Sequence, residues 1–206
     1  MISAPKGTPV RARLAPRAGA RASAYPQGVG SFVLSVTGSD RPGIVSSVTR
    51  VLLDHALNLE DAEMAILRGH FAVMLVLTAP PELDEDALRA DLERVRAAVP
   101  LDTVALTEVP AFGAKPAPAS HAISVYGADH PGIVHGVAEA LAAADVNVVG
   151  LSTRVVGEDA DALYVMLLEV TLPGSLDEQA LERLLADVAE RQGVDVSVRP
   201  VDGDVL

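Results

Sequence analysis

The sequence predicts an α+β protein built from two copies of a βαββαβ domain, each an antiparallel four-stranded sheet with two helices on one face. Three observations predict it. The segment Gly38-Ser39-Asp40-Arg41-Pro42-Gly43-Ile44-Val45 recurs as Gly127-Ala128-Asp129-His130-Pro131-Gly132-Ile133-Val134, identical at six of eight positions. Each copy then shows the same succession of strand-like and helix-like periodicities. Between the copies lies Pro110-Ala-Phe-Gly-Ala-Lys-Pro-Ala-Pro-Ala-Ser120, too proline-rich to continue a strand.

The elements follow in order. Phe32, Leu34 and Val36 alternate with Ser31, Val33, Ser35 and Thr37 as a first strand, matched by Ile123 and Val125 in the second copy. Ile44, Val45, Val48, Val51 and Leu52 then fall on one helical face, as do Ile133, Val134, Val137 and Leu141. Asn58 and Asn147 stand just after these helices, where an asparagine in the left-handed conformation can end one. Two extended segments follow: Leu59 to Leu67 and His70 to Thr78 about an Arg68-Gly69 turn, and Val148 to Val156 with Leu163 to Thr171. A second helix carries Leu88, Leu92, Val95 and Val99, against Leu181, Leu184, Leu185 and Val188, and a last strand lies near Val104 to Val109 or Val194 to Val201. Leu83-Asp84-Glu85 and Leu176-Asp177-Glu178 are four residues further out of step than the first motif, which places an insertion at a hairpin tip near Gly157 to Asp161.

This order is the ferredoxin-like pattern, with one face of each sheet left without helices. Phe71 to Leu77 is apolar at nearly every position, as expected of a central strand buried on both faces, so the other copy or another chain, in a homodimer, should cover the second face. The expected division is a disordered basic tail over 1–30, domain one over 31–109, the linker over 110–120 and domain two over 121–202.

Charge and composition narrow the function classes. The formal net charge is -12, yet residues 1–25 carry Lys6, Arg11, Arg13, Arg17 and Arg21 and no acid, so the body is more acidic still. An acidic body repels phosphate backbones, which argues against direct nucleic-acid binding. The absence of cysteine excludes disulfides and thiolate chemistry and is compatible with the cytoplasm. Apolar runs such as Phe71 to Leu77 are far shorter than the roughly 20 residues a membrane span needs, so no membrane partner is expected. The histidines, His130 and His135 included, lack metal-ligand spacing, and Ser46 and Ser47 have no nucleophile-elbow sequence around them. No cofactor or catalytic residue is indicated.

The repeated motif is where a ligand could bind. Gly38 and Gly127 permit a sharp strand exit, Asp40 and Asp129 can cap a helix, and Pro42 and Pro131 suit a first turn, where no N–H is needed. Gly43 and Gly132, with Ile44 and Ile133, would expose the amides and positive dipole of a helix start to a carboxylate, leaving Asp40 or Asp129 for an ammonium group. The same residues also make an ordinary turn and cap, and both readings stay open. Glu60, Asp61 and Glu63 form either a polar site or a solvated strand edge, and copy two replaces Glu60-Asp61 with Val149-Gly150.

With that element order, the repeated motif, and Asn58-Leu59 or Asn147-Val148 entering the second strand, residues 31–202 resemble tandem ACT domains. The resemblance implies a regulatory module that binds an amino acid such as glycine or serine near Gly38, Asp40, Pro42, Gly43, Ile44 and Asn58, and near Gly127, Asp129, His130, Pro131, Gly132, Ile133 and Asn147. Copy one is most similar to the two-domain type that represses transcription of the glycine cleavage system, which implies action through a DNA-binding protein partner. ACT domains also precede catalytic domains, as in formyltetrahydrofolate deformylase, but the chain is expected to end at Leu206 without room for one. The competing expectation is a structural adaptor that needs no ligand, or an accessory regulatory subunit of a metabolic enzyme.

Overall fold

The computed structural model describes residues 30–110, 117–157 and 162–201. The chain divides into two compact units, residues 1–113 and 114–206.

In the first unit, β1 (Gly30–Ser39), α1 (Ile44–Asp54), β2 (Asn58–Leu67), β3 (His70–Ala79), α2 (Glu85–Ala98) and β4 (Leu101–Val109) form one antiparallel sheet in the order β2-β3-β1-β4. Phe32, Leu34 and Val36 of β1 are buried while Val33, Ser35 and Thr37 are half-buried, the alternation of a strand with helices on one face only. Ile44, Val48, Val51 and Leu52 of α1 and Leu88 and Leu92 of α2 close the core against Phe71, Leu75 and Leu77 of β3. His55 and Asp91, 2.8 Å apart, join the end of α1 to α2. The β2–β3 hairpin turns through Arg68 and Gly69, both at positive φ (51° and 83°), the combination a two-residue turn needs to match the strand twist.

The second unit repeats this with β5 (His121–Ala128), α3 (Ile133–Ala143), β6 (Asn147–Val156), β7 (Leu163–Thr171), α4 (Glu178–Gln192) and β8 (Val194–Pro200), in the sheet order β6-β7-β5-β8. Its core gathers Ile123, Val125, Ile133, Val137, Leu141, Met166, Leu181 and Leu185. The succession of elements, the sheet topology and the hairpins are those the periodicities predict. No helix among the described residues is long and apolar enough to cross a membrane.

Several local expectations are corrected. The strands do not exit at Gly38 and Gly127 but run on to Ser39 and Ala128. A Cβ on Gly38 would lie 2.8 Å from the Pro100 carbonyl oxygen and 2.9 Å from Leu101 Cα, at a bulge between β1 and β4, so the glycine admits a neighbouring backbone. A Cβ on Gly127 would likewise meet Val194 Cγ1 at 2.7 Å. Asn58 and Asn147 do not end helices. The left-handed positions are Ala56 (φ 55°) and Asp145 (φ 58°), and the asparagines open β2 and β6. Although β3 is central, it is not buried on both faces: Met74 is 54% exposed, because the helices cover one side of the sheet alone.

The expected tail overlaps β1 at Gly30, and residues 1–29 lie outside the described residues, as do 111–116 of the linker, the 158–161 insertion and residue 202. The linker's last residues pack on the second unit: Ser120 N–H donates to the Val170 carbonyl at 2.8 Å, and Val201 N–H donates to the Ser120 carbonyl at 2.9 Å. Gly38→Ala is expected to lose about 1–3 kcal/mol of stability by overpacking. Gly174→Ala, where a Cβ would meet nothing within 4 Å, is expected to stay near wild type. Denaturant unfolding of the two variants checks this.

Candidate functional site

The four helices of the described residues begin in two different ways. Asp84 caps α2 by accepting from Ala87 N–H at 3.0 Å, Asp177 caps α4 by accepting from Ala180 N–H at 2.8 Å, and acidic residues follow in both first turns. This is the ordinary side-chain cap with dipole compensation. By contrast, α1 and α3 begin at Gly43 (φ 100°) and Gly132 (φ 107°), with no side-chain cap hydrogen bond and no acid in the first turn. Only glycine takes that conformation without strain. The first intrahelical donors are Ser47 N–H to Gly43 O at 2.9 Å and Gly136 N–H to Gly132 O at 2.8 Å, which leaves the preceding amides without intrahelical acceptors.

This arrangement corrects the predicted roles of the motif residues while keeping the helix start open. Asp40 and Asp129 do not cap, and Pro42 and Pro131 precede the helices instead of lying in their first turns. Asp40, Pro42, Gly43, Asp129, Pro131 and Gly132 are exposed in their loops, and His130 is half-buried. Ile44 and Ile133 are core residues, each 1% exposed, so their side chains face away from any ligand on the loop. Gly38 and Gly127 are spacers for a neighbouring strand.

Asn58 and Asn147 are not brought to the loop of their own unit. Gly38 pairs with Phe71, whereas Asn58 pairs with Thr78 at the other end of β3, and Gly127–Tyr164 and Asn147–Thr171 are separated in the same way. Asn58 Nδ2 donates to Glu60 Oε1 at 2.6 Å, and Thr78 Oγ1 donates to the same oxygen at 2.9 Å. Glu60, Asp61 and Glu63 are all exposed on the edge strand β2, in the position of a solvated edge. Among the described residues, no group of His, Asp and Glu could hold a metal ion.

The two loops have different surroundings. A Cβ on Gly43 would meet nothing within 4 Å, whereas one on Gly132 would lie 3.6 Å from Gln192 Oε1. His130, in the place of Arg41, has the Pro131 carbonyl oxygen 3.0 Å from Nδ1 and the Gln192 carbonyl oxygen 2.8 Å from Nε2. Both contacts are satisfied when the ring is an imidazolium donating from each nitrogen. The bond to the Pro131 carbonyl, then that to Gln192, raise the His130 pKa above its ordinary 6.5 against the opposing cost of desolvation, and the charge of Asp129 adds to the shift. Tyr164, in the place of Phe71, is buried, which raises its pKa; a hydrogen bond with Thr153 opposes the rise and the charge of Asp129 adds to it. Gln192 and Tyr164 carry no mark in the sequence motif, because they reach the loop from α4 and β7.

Comparison with known proteins is consistent over both units. Residues 31–105 and, separately, residues 121–188 match family descriptions that read ACT domain. A UPF0237 protein of Methanopyrus kandleri is 37% identical over 73 residues, 35% of this chain and 81% of that protein. Phosphoserine phosphatase SerB2 of Mycobacterium tuberculosis is 32% identical over 120 residues, 57% of this chain but 29% of the phosphatase. The glycine cleavage system transcriptional repressor of Escherichia coli is 23% identical over 177 residues, 80% of this chain and 89% of the repressor. Among solved structures, one described as an unknown protein from Galdieria sulphuraria superposes with a TM-score of 0.69 at 29% identity, over 84% of this chain and 99% of that one. A putative glycine cleavage system transcriptional repressor shares the fold with a TM-score of 0.65 at 15% identity, over 85% and 99% of the two chains.

A pH dependence follows from His130. Its folded-state pKa is raised, so its contribution to stability is complete below the unfolded value of 6.5 and is lost as pH rises through the folded value. The imidazole titrated by NMR is expected to show a midpoint above 6.5. His130→Gln is expected to remove the corresponding fall in Tm as the pH rises above 6.5.

Proposed function

Because the chain belongs to the ACT-domain family and carries that domain twice, we propose that it is a non-catalytic regulatory protein that senses a small amino acid such as glycine or serine. In this reading it acts in the cytoplasm and signals occupancy by contact with a protein partner, a DNA-binding regulator of glycine or one-carbon metabolism. The observation that carries the ligand part is the contrast between helix starts: α2 and α4 supply their own carboxylate cap, while α1 and α3 leave amides and a positive dipole end open behind a left-handed glycine. An amino-acid carboxylate suits such a helix start chemically, and exposed Asp40 or Asp129 is available to its ammonium group. The partner part is supported by similarity to a protein described as a transcriptional repressor over 80% of this chain, together with the acidic body, which disfavours direct contact with DNA.

In this reading the first loop is the more open of the two sites, because a Cβ on Gly43 would meet nothing within 4 Å whereas Gln192 stands at contact distance from one on Gly132. A second reading, a ligand-independent adaptor, is favoured by apolar side chains on the edge strands: Met64 and Ile66 of β2 are each 49% exposed and Leu151 of β6 is 53% exposed. Light scattering after size exclusion, with and without glycine or serine, separates the two. A sensor changes its assembly or shape with ligand, and an adaptor pairs identically in both conditions.

Isothermal titration with glycine, serine and the remaining amino acids is expected to give saturable heat with at least one of them. In a Gly43→Val, Gly132→Val double variant whose circular dichroism matches wild type, affinity is expected to fall about tenfold or more, as a blocked charged hydrogen-bond site requires. Wild-type affinity in that variant would remove the loops from the site.

A further inference from the structure

The two units differ where the second helix meets the last strand. In the first unit the space between α2 and β4 is about 150 Å³ and is lined by Arg89, Leu92, Glu93, Val104 and Leu106. The Arg89 guanidinium stands at its lining, donating from Nη1 to the Leu106 carbonyl at 2.9 Å and from Nε to Glu85 Oε1 at 2.8 Å. Beside it, Arg96 pairs with Glu93 on the same helix. An arginine of the chain itself therefore covers the outward carbonyl of an edge strand.

The repeat sets Leu83-Asp84-Glu85 against Leu176-Asp177-Glu178, so Glu182 stands where Arg89 does, and Ala186 and Ala189 stand where Glu93 and Arg96 do. The pairing of Leu34 with Leu106 and of Ile123 with Val198 likewise equates those two strand positions. In the second unit the groove opens to about 450 Å³, with Leu185, Ala186, Ala189, Val196 and Val198 in its lining and Glu182 exposed beside them. Glu182 has no hydrogen bond or ion pair among the described residues. Here a carboxylate replaces the donor at the edge of β8, the outermost strand of its sheet. Carboxylate and edge carbonyls are all acceptors, and the donor complementary to them is a cation.

We propose that the α4–β8 groove docks an extended segment of a partner protein, which adds along the free edge of β8 and sets an arginine against Glu182. The guanidinium then takes the position that Arg89 fills in the first unit, and alternate apolar side chains of the segment rest on the valine and alanine floor. The net charge of -12 favours the approach of such a cationic segment. The proposal rests on the protein-contact half of the function proposed above and is independent of the amino-acid ligand.

The test uses the full chain, labelled with ¹⁵N, and an acetylated, amidated peptide Val-Thr-Arg-Thr-Val, in which both valines and the arginine share one face, against the same peptide with glutamate in the centre. The arginine peptide is expected to give saturable shifts at amides of residues 182–198, at least about tenfold tighter than the glutamate peptide. Glu182→Arg, which gives this groove the arginine of the first unit, and Glu182→Gln, an isosteric change on the surface, are each expected to weaken the arginine peptide by about tenfold. Absence of saturable shifts at millimolar peptide, equal binding of the two peptides, or unchanged affinity in Glu182→Gln would each overturn the assignment. Titrations run without any amino acid keep this outcome separate from failure of the sensing reading.

Discussion

A left-handed glycine between the first strand and the first helix is the constraint on which each unit depends. At φ near 100°, Gly43 and Gly132 turn the chain so that α1 and α3 fold back over their own sheets and bury Ile44 and Ile133 at once. A Cβ in that conformation is strained by roughly 1–2 kcal/mol. The same geometry removes the side-chain cap that α2 and α4 possess. The residue that makes the fold possible thus also leaves a helix start with donors to spare, and the structural and the chemical readings of the motif are two consequences of one backbone conformation.

Duplication gave the protein two equivalent scaffolds, and substitution at equivalent positions has made them different. The second loop is tied to the end of α4 through His130 and has Gln192 at contact distance from Gly132, while the first stands open around Gly43. Phe71 and Tyr164 hold the same place in the register opposite Gly38 and Gly127, yet the second brings a hydroxyl near Asp129. Arg89 and Glu182 exchange a donor for an acceptor at the sheet edge. None of these changes alters the hydrophobic pattern, so both copies retain the same core while presenting different surfaces.

The exposed edges follow from the same architecture. Two helices cover the two central strands of each sheet and part of its margins, so β2 and β6 are exposed along most of their length despite carrying Leu59, Met64, Ile66, Leu151 and Val155. An apolar edge strand is a pairing hazard unless charge, a bulge or a covering element protects it.

The sequence by itself determined the duplication, the order of the elements, the Arg68-Gly69 hairpin and the faces that Leu34, Val48 and Leu88 bury. These are set by periodicity and turn chemistry within a few residues of each position. Only the tertiary structure decided why Gly38 must be glycine, where Asn58 and Asn147 stand and which groups surround Gly132. Pro100 reaches Gly38 across the sheet, the asparagines lie a full strand length from the loops they seemed to join, and Gln192 meets Gly132 from the end of another helix. Local patterns record which side of an element is apolar. They do not record which distant group packs against it, and at the candidate site that distant contact separates an open loop from one bordered by another helix.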